Sequence, residues 1–221
     1  MAKIIVAGGL GALGRAVVAE LTSKGHAVAV VDMGSAPSDG DALVLGGVDL
    51  TDAAAVASAY GEAAAALGGL DGLVNVAGGF LWEAMDGGAP ESWDKMYQMN
   101  LRTAALSCGA ALAHLRAGGA IVNVGAAAAA NAAMGMAPYA ASKAGVLALT
   151  QSLADELNGK GTRVNAVLPT IIDTPANRKD MPDANTSAWV KPASAAKVIA
   201  FLLSDDAACI TGAGIPLSLA G

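Results

Sequence analysis

Short apolar runs alternate along the chain with longer stretches whose apolar residues recur at helical spacing, the rhythm of repeated strand–helix–strand units. Lys3 to Ala7 opens the pattern with a run suited to a strand buried on both faces, and a glycine-rich turn and a helix follow. Further strands are expected at Ala27 to Val31, Leu43 to Gly47, Leu70 to Val76, Ala120 to Val124, Arg163 to Val167 and Ile215 to Leu219. Helices are expected up to Leu67 with Thr51 or Asp52 as cap, from about Glu91 to Leu115, from about Pro138 to Asn158, and near Ser194 to Leu203. Right-handed crossovers between such strands give a parallel sheet with helices on both faces. The expected fold is α/β: one doubly wound parallel sheet of about seven strands, residues 1–221 forming a single domain, with its site at the carboxyl ends of the strands.

Composition narrows the function. The formal charge of −6 argues against nucleic acid or an anionic membrane as partner, since both attract basic surfaces. Residues 117–142 carry no charge, but Pro138, four glycines and many alanines make them strand, loop and helix start, not a membrane span. Cys108 and Cys209 stand far apart and read as reduced, buried thiols; His26 and His114 are isolated, so no metal is expected. The chain enters its first strand at once, with no secretory pattern, so a cytoplasmic location is the expectation.

The candidate chemistry lies where strands end. After the first strand, Gly9, Gly11 and Gly14 spell G-x-G-x-x-G, with Gly8, Leu10 and Leu13 in the same turn. Such glycines allow a tight bend and close approach of backbone N–H groups to a pyrophosphate, the turn of a Rossmann-type sheet. Asp32 ends the second strand, where a carboxylate accepts from ribose hydroxyls and repels a 2′-phosphate; this favours NAD, as NADH, over NADPH. Tyr139 and Lys143 stand four apart, on one face of a helix, where an ammonium favours the ionised phenol. The plainer alternative makes Tyr139 a helix-start residue and Lys143 a solvated one. Asn131 is either a turn residue or a replacement hydrogen-bond donor, and Phe80, Trp82, Met134, Met136 and Trp189 form either a pocket for a flat ring or ordinary packing.

Taken in order, the glycine turn, Asp32, Asp49, Asn75-x-Ala77-Gly78, Asn100, Tyr139-x-x-x-Lys143 and the Pro169-to-Thr174 segment resemble the short-chain dehydrogenase/reductase family over essentially the whole chain. That resemblance implies an oxidoreductase using a nicotinamide cofactor, with a homodimer or homotetramer as its assembly. It places Asp49 and Leu50 around the adenine, Ala77 and Gly78 along the ribose, and Ile172 and Thr174 at the carboxamide, beside Pro169. It makes Tyr139 the acid/base, Lys143 the group that grips the ribose and lowers the tyrosine pKa, and Asn100 the anchor of a relay water. Asn75 reads equally as a stabiliser of the central sheet.

The family's serine is missing: Ala126 stands in its place, and no Ser or Thr occurs between Cys108 and Tyr139. A buried donor aimed at developing negative charge is worth about 10²-fold or more in rate, so its loss matters most for a simple ketone. A conjugated acceptor that spreads the incoming electron pair is less affected. The Gly-Gly-x-Gly-Ala-Leu-Gly turn, the absent serine and the run from Leu168 to Trp189 are similar to the quinonoid dihydropteridine reductases. The expected reaction is therefore hydride transfer from NADH to quinonoid dihydropterin or a related acceptor, with Tyr139 as proton donor and Phe80, Asn131 and Trp189 at the substrate. The alternatives are a carbonyl reductase or alcohol dehydrogenase of the same family, and a nicotinamide-binding regulator with little activity.

Overall fold

Runs of Val, Ile and Leu pair edge to edge here because helices cover both of their faces. The computed structural model describes residues 1–35 and 42–219. Its strands are β1 (Lys3–Ala7), β2 (Ala27–Val31), β3 (Leu43–Leu45), β4 (Leu70–Asn75), β5 (Leu115–Val124), β6 (Arg163–Pro169) and β7 (Gly214–Leu217). All pair in parallel, in the order β3-β2-β1-β4-β5-β6-β7, so the chain reverses its direction of winding between β1 and β4. That reversal opens a crevice at the carboxyl ends, where ligands settle in sheets of this kind.

Side-chain alternation sends Ile4 and Val6 to one face and Ile5 and Ala7 to the other. On the first face they meet α1 (Ala12–Ser23) and α7 (Pro192–Leu203) through Val17, Leu21, Ile199 and Leu202. On the second they meet α2 (Ala53–Leu67), α4 (Thr103–Leu112) and α5 (Ala137–Glu156) through Val56, Tyr60, Cys108 and Leu153. Asp52, not Thr51, caps α2, its carboxylate accepting from the Ala54 and Ala55 amides at 2.8 and 3.2 Å, and Gly68 closes the helix with φ +70°.

The expected helix from Glu91 to Leu115 is not continuous. It runs as α3 (Glu91–Met96), a π-helical turn (Tyr97–Arg102) and α4, because Thr103 turns its hydroxyl back onto the Met99 and Asn100 carbonyls and loosens the regular ladder. Strand β5 starts at Leu115, five residues before the apolar run at Ala120, since Leu115 already pairs with Leu70 across an irregularity in register. Strand β3 stops at Leu45, and β7 begins a residue early and ends at Leu217. A short helix, α6 (Pro175–Asp180), was not marked by the apolar pattern; Thr174 caps it, accepting from the Asn177 amide at 3.1 Å. Cys209 is exposed, against the expectation of two buried thiols, while Cys108 is buried.

Candidate active site

The glycine turn is built by contacts that leave no room for side chains. Gly8 has φ +79°, and a Cβ there would lie 2.5 Å from the Ala77 amide nitrogen, so the turn is pressed against the segment after β4. A Cβ on Gly9 would lie 2.7 Å from the Val30 side chain, and one on Gly14 would run into the Gly8 carbonyl oxygen. Gly11 alone faces open space, with nothing nearer than 3.6 Å, at the start of α1 where no side chain caps the helix. The Gly11 amide donates to the Gly8 carbonyl at 3.3 Å, and the amides of the first turn of α1, at the positive end of the helix, suit a pyrophosphate. The turn thus fits a dinucleotide by its backbone.

Asp32 does two jobs at this end. One carboxylate oxygen accepts from the Leu10 amide at 2.9 Å and the other from the Gly34 amide at 2.8 Å, which fixes the turn against the end of β2. The Leu10 carbonyl in turn accepts from Arg15 Nε at 2.7 Å. Asp49 is exposed, and its carboxyl is held below the usual range by the hydroxyl and amide of Thr51. Leu13 and Leu50 are buried in the two cores, so what they offer a cofactor is backbone, not side chain.

Asn75 takes the sheet-stabilising role. It is buried, sits beside Asn123 in the β4–β5 register and donates to its side-chain oxygen at 2.8 Å. Asn123 donates onward to Thr150 Oγ1 at 2.9 Å. Asn100, within the π-helical turn, is the asparagine that meets the segment after β4. Its side-chain oxygen accepts from the Gly79 amide at 3.0 Å, while its nitrogen donates to the Gly79 carbonyl at 3.1 Å and to Ser142 Oγ at 3.0 Å. A Cβ on Gly78 would lie 2.6 Å from the Asn100 oxygen and 3.1 Å from Lys143 Nζ, which puts Gly78, Asn100 and Lys143 in one small volume. Ser142 and Gly79 thus complete the cluster, and the serine directly before Lys143 is the sequence signal for it.

Tyr139 and Lys143 lie in the first two turns of α5. Lys143 is buried, Nζ donates to the Val124 carbonyl at 2.9 Å, and burial lowers its pKa to about 8. Burial also pushes the Tyr139 phenol up to about 12. The phenol is raised, not lowered as its lysine neighbour led one to expect: burial is the cause of both shifts, and the ammonium is engaged by the end of β5. Phe80 packs against Tyr139 edge-to-face, with ring centroids 4.9 Å apart and planes at 84°.

Ala126 is buried and extended just beyond β5, with no hydroxyl to present. Asn131, the replacement donor considered from sequence, is exposed at the end of the following turn, and its side chain makes no hydrogen bond among the described residues. Trp189 is 5% exposed and leaves almost no ring surface open to a substrate, against its expected place there. Pro169 ends β6, Ile172 bridges to Val190, and Thr174 spends its hydroxyl on capping α6. Beside Pro138 lies a cleft of about 200 Å³ walled by Glu83, Met85, Pro90 and Trp93. No group of His, Cys, Asp and Glu among the described residues has the arrangement of a metal site, and no described helix is long and apolar enough to cross a membrane.

Comparison with known proteins agrees with this geometry. The family model described as "Enoyl-(Acyl carrier protein) reductase" matches residues 9–218. The chain is 31% identical to 2-(S)-hydroxypropyl-CoM dehydrogenase 3 of Xanthobacter autotrophicus, over 95% of this chain and 92% of that protein. It is 33% identical to D-threitol dehydrogenase of Mycolicibacterium smegmatis, over 96% of this chain and 89% of that one. Among solved structures, a short-chain dehydrogenase from Burkholderia cenocepacia in complex with NADP superposes with a TM-score of 0.84 at 28% identity, covering 98% of this chain and 96% of that one. With a matching family model, full-length relatives and a shared sheet, the chain belongs to the short-chain dehydrogenase/reductase family of oxidoreductases.

Proposed function

We propose that the protein is an NADH-preferring oxidoreductase that interconverts a hydroxyl and a carbonyl group on a small molecule. The observation that carries this reading is the meeting of Asn100 and Lys143 at Gly78, with Tyr139 one turn before Lys143 on α5 and a tight glycine turn that leaves Gly11 open at the start of α1. The relatives named above are dehydrogenases of hydroxyl-bearing compounds, which favours this reaction over pterin reduction. When bound, the nicotinamide supplies the two-electron chemistry. Tyr139 holds a protonated phenol at neutral pH and gives that proton to the substrate oxygen, or receives it in the reverse direction. Lys143 supplies the charge that meets the phenolate left behind, and Asn100 holds the Gly79 backbone at the wall of the site. Asp32, ending β2, is the basis for preferring NADH over NADPH. A homodimer or homotetramer and a cytoplasmic location belong to the same reading and rest on the family resemblance.

Ala126 favours a second reading, reduction of quinonoid dihydropterin or another conjugated acceptor that stabilises its own developing charge. One assay separates the two: steady-state oxidation of NADH and NADPH with a panel of ketones and with quinonoid dihydropterin, for the natural chain and for Ala126→Ser. The first reading expects ketone turnover with NADH, raised on the order of tenfold by Ala126→Ser. Faster turnover of dihydropterin than of every ketone, with no gain from the serine, would replace it with the second. Tight NADH binding without turnover of any acceptor would make the protein a regulator.

A further inference from the structure

Phe80 stands between two anchors. On one side Asn100 grips both the amide and the carbonyl of Gly79, so the residue before Phe80 has no freedom to shift. On the other, the Glu83 amide donates to the Gly135 carbonyl at 2.8 Å, and the Trp82 ring lies so close on Gly135 that any side chain there would strike it. Between these ties, Phe80 presents its ring to Tyr139 at 4.9 Å and 84°, an edge-to-face contact with a defined geometry. The start of α5 sets the backbone of Tyr139, but its first turn has no side-chain cap, and no protein hydrogen bond to the phenol is present among the described residues. The lateral wall on the phenol ring is therefore aromatic. Phe80 itself is 51% exposed, so it contributes little to the core.

We propose that Phe80 is a positioning residue for the proton transfer: its ring, fixed through Gly79 by Asn100, holds the Tyr139 ring in one orientation and keeps water off the phenol. The inference rests on Tyr139 being the proton carrier of the proposed reaction. It gives the Asn100 clamp an effect at the reacting oxygen, transmitted by packing from Gly79 to Phe80 to Tyr139. Lys143, on the next turn of α5, is the titratable group nearest along that helix, and its ammonium is held by Val124 and not by Phe80.

The test uses Phe80→Ala and Phe80→Leu in the cofactor-bound protein. Ultraviolet titration of the phenols, with Tyr139→Phe subtracted to isolate Tyr139, needs no substrate. With water admitted to the ring, the phenol should ionise at least about one pH unit lower in Phe80→Ala than in the natural chain, and in Phe80→Leu by less. Turnover of the best acceptor should fall on the order of tenfold in Phe80→Ala, with the KM for NADH changed less than about twofold. An unmoved titration would overturn the proposal whatever the substrate proves to be, and so would a raised substrate KM at unchanged kcat. If no acceptor is turned over, the proposed reaction fails while the titration still decides the role of Phe80. Because Phe80 is half exposed, both variants should fold, and Phe80→Leu keeps the bulk in case Phe80→Ala does not.

Discussion

The two ends of the crevice are built by different means. The β1–α1–β2 end is made of backbone: Gly8, Gly9 and Gly14 each touch an atom that a Cβ would displace, and Asp32 ties two amides. The β4–β5–α5 end is made of side chains from distant segments, with Asn100, Phe80, Tyr139 and Lys143 meeting across more than sixty residues of sequence. A backbone site tolerates one ligand geometry and few substitutions, whereas a side-chain site is re-aimed by a single exchange such as that at Ala126. The difference explains why cofactor binding is shared across a family while substrates diverge.

The comparison is broken most sharply by Tyr139→Phe. Turnover should fall by about 10² or more, while NADH binding, followed by quenching of protein fluorescence, should stay within a few-fold. Equal loss of both would mean that the two ends are not separable. Gly14→Ala attacks the other end, since the new methyl meets the Gly8 carbonyl and lies 2.7 Å from Gly9 Cα. NADH affinity should drop roughly tenfold or more and Tm should fall by several degrees, by calorimetry. Unchanged affinity would remove the turn from the cofactor site.

The smallest effect concerns Lys143 and stability. Its ordinary pKa is 10.5 and burial lowers it to about 8, so between these values the unfolded chain holds more protons than the folded one. Stability therefore rises with pH from about 8 toward about 9, with a slope of at most about 1.4 kcal/mol per pH unit, and the benefit is lost as pH falls through 8; above 9 the buried Cys108 thiol, raised from 9.0 to about 12, opposes the rise. Tyr139 acts in the opposite sense only above its ordinary 10.0, where the folded protein retains the proton. Denaturant unfolding across this range should show the rise in the natural chain and not in Lys143→Met. The same slope in both would place the titration elsewhere.

Residues whose role is set by local geometry were legible from their order alone. The strands β1 and β2, the glycine turn and the Tyr139–Lys143 spacing lie where apolar runs and helical period put them. The break at Asn100 was not legible, because the helical pattern runs through it and only the back-bonded Thr103 hydroxyl and the pull of Gly79 reveal the extra turn. Trp189 is buried although it lies in a polar segment. An aromatic in a polar segment carries no sign of whether it faces a ligand or the protein beneath it.

The sequence by itself determined the parallel sheet, the backbone cradle and the family, since periodicity and glycine sterics act over a few neighbouring residues. Only the tertiary structure decided that Asn75 bonds across the sheet and Asn100 clamps Gly79, that Tyr139 and Lys143 are buried enough to shift in opposite directions, and that Phe80 lies on Tyr139. Those outcomes depend on desolvation and on contacts between segments far apart in the chain, and neither is expressed in the spacing of residues along it.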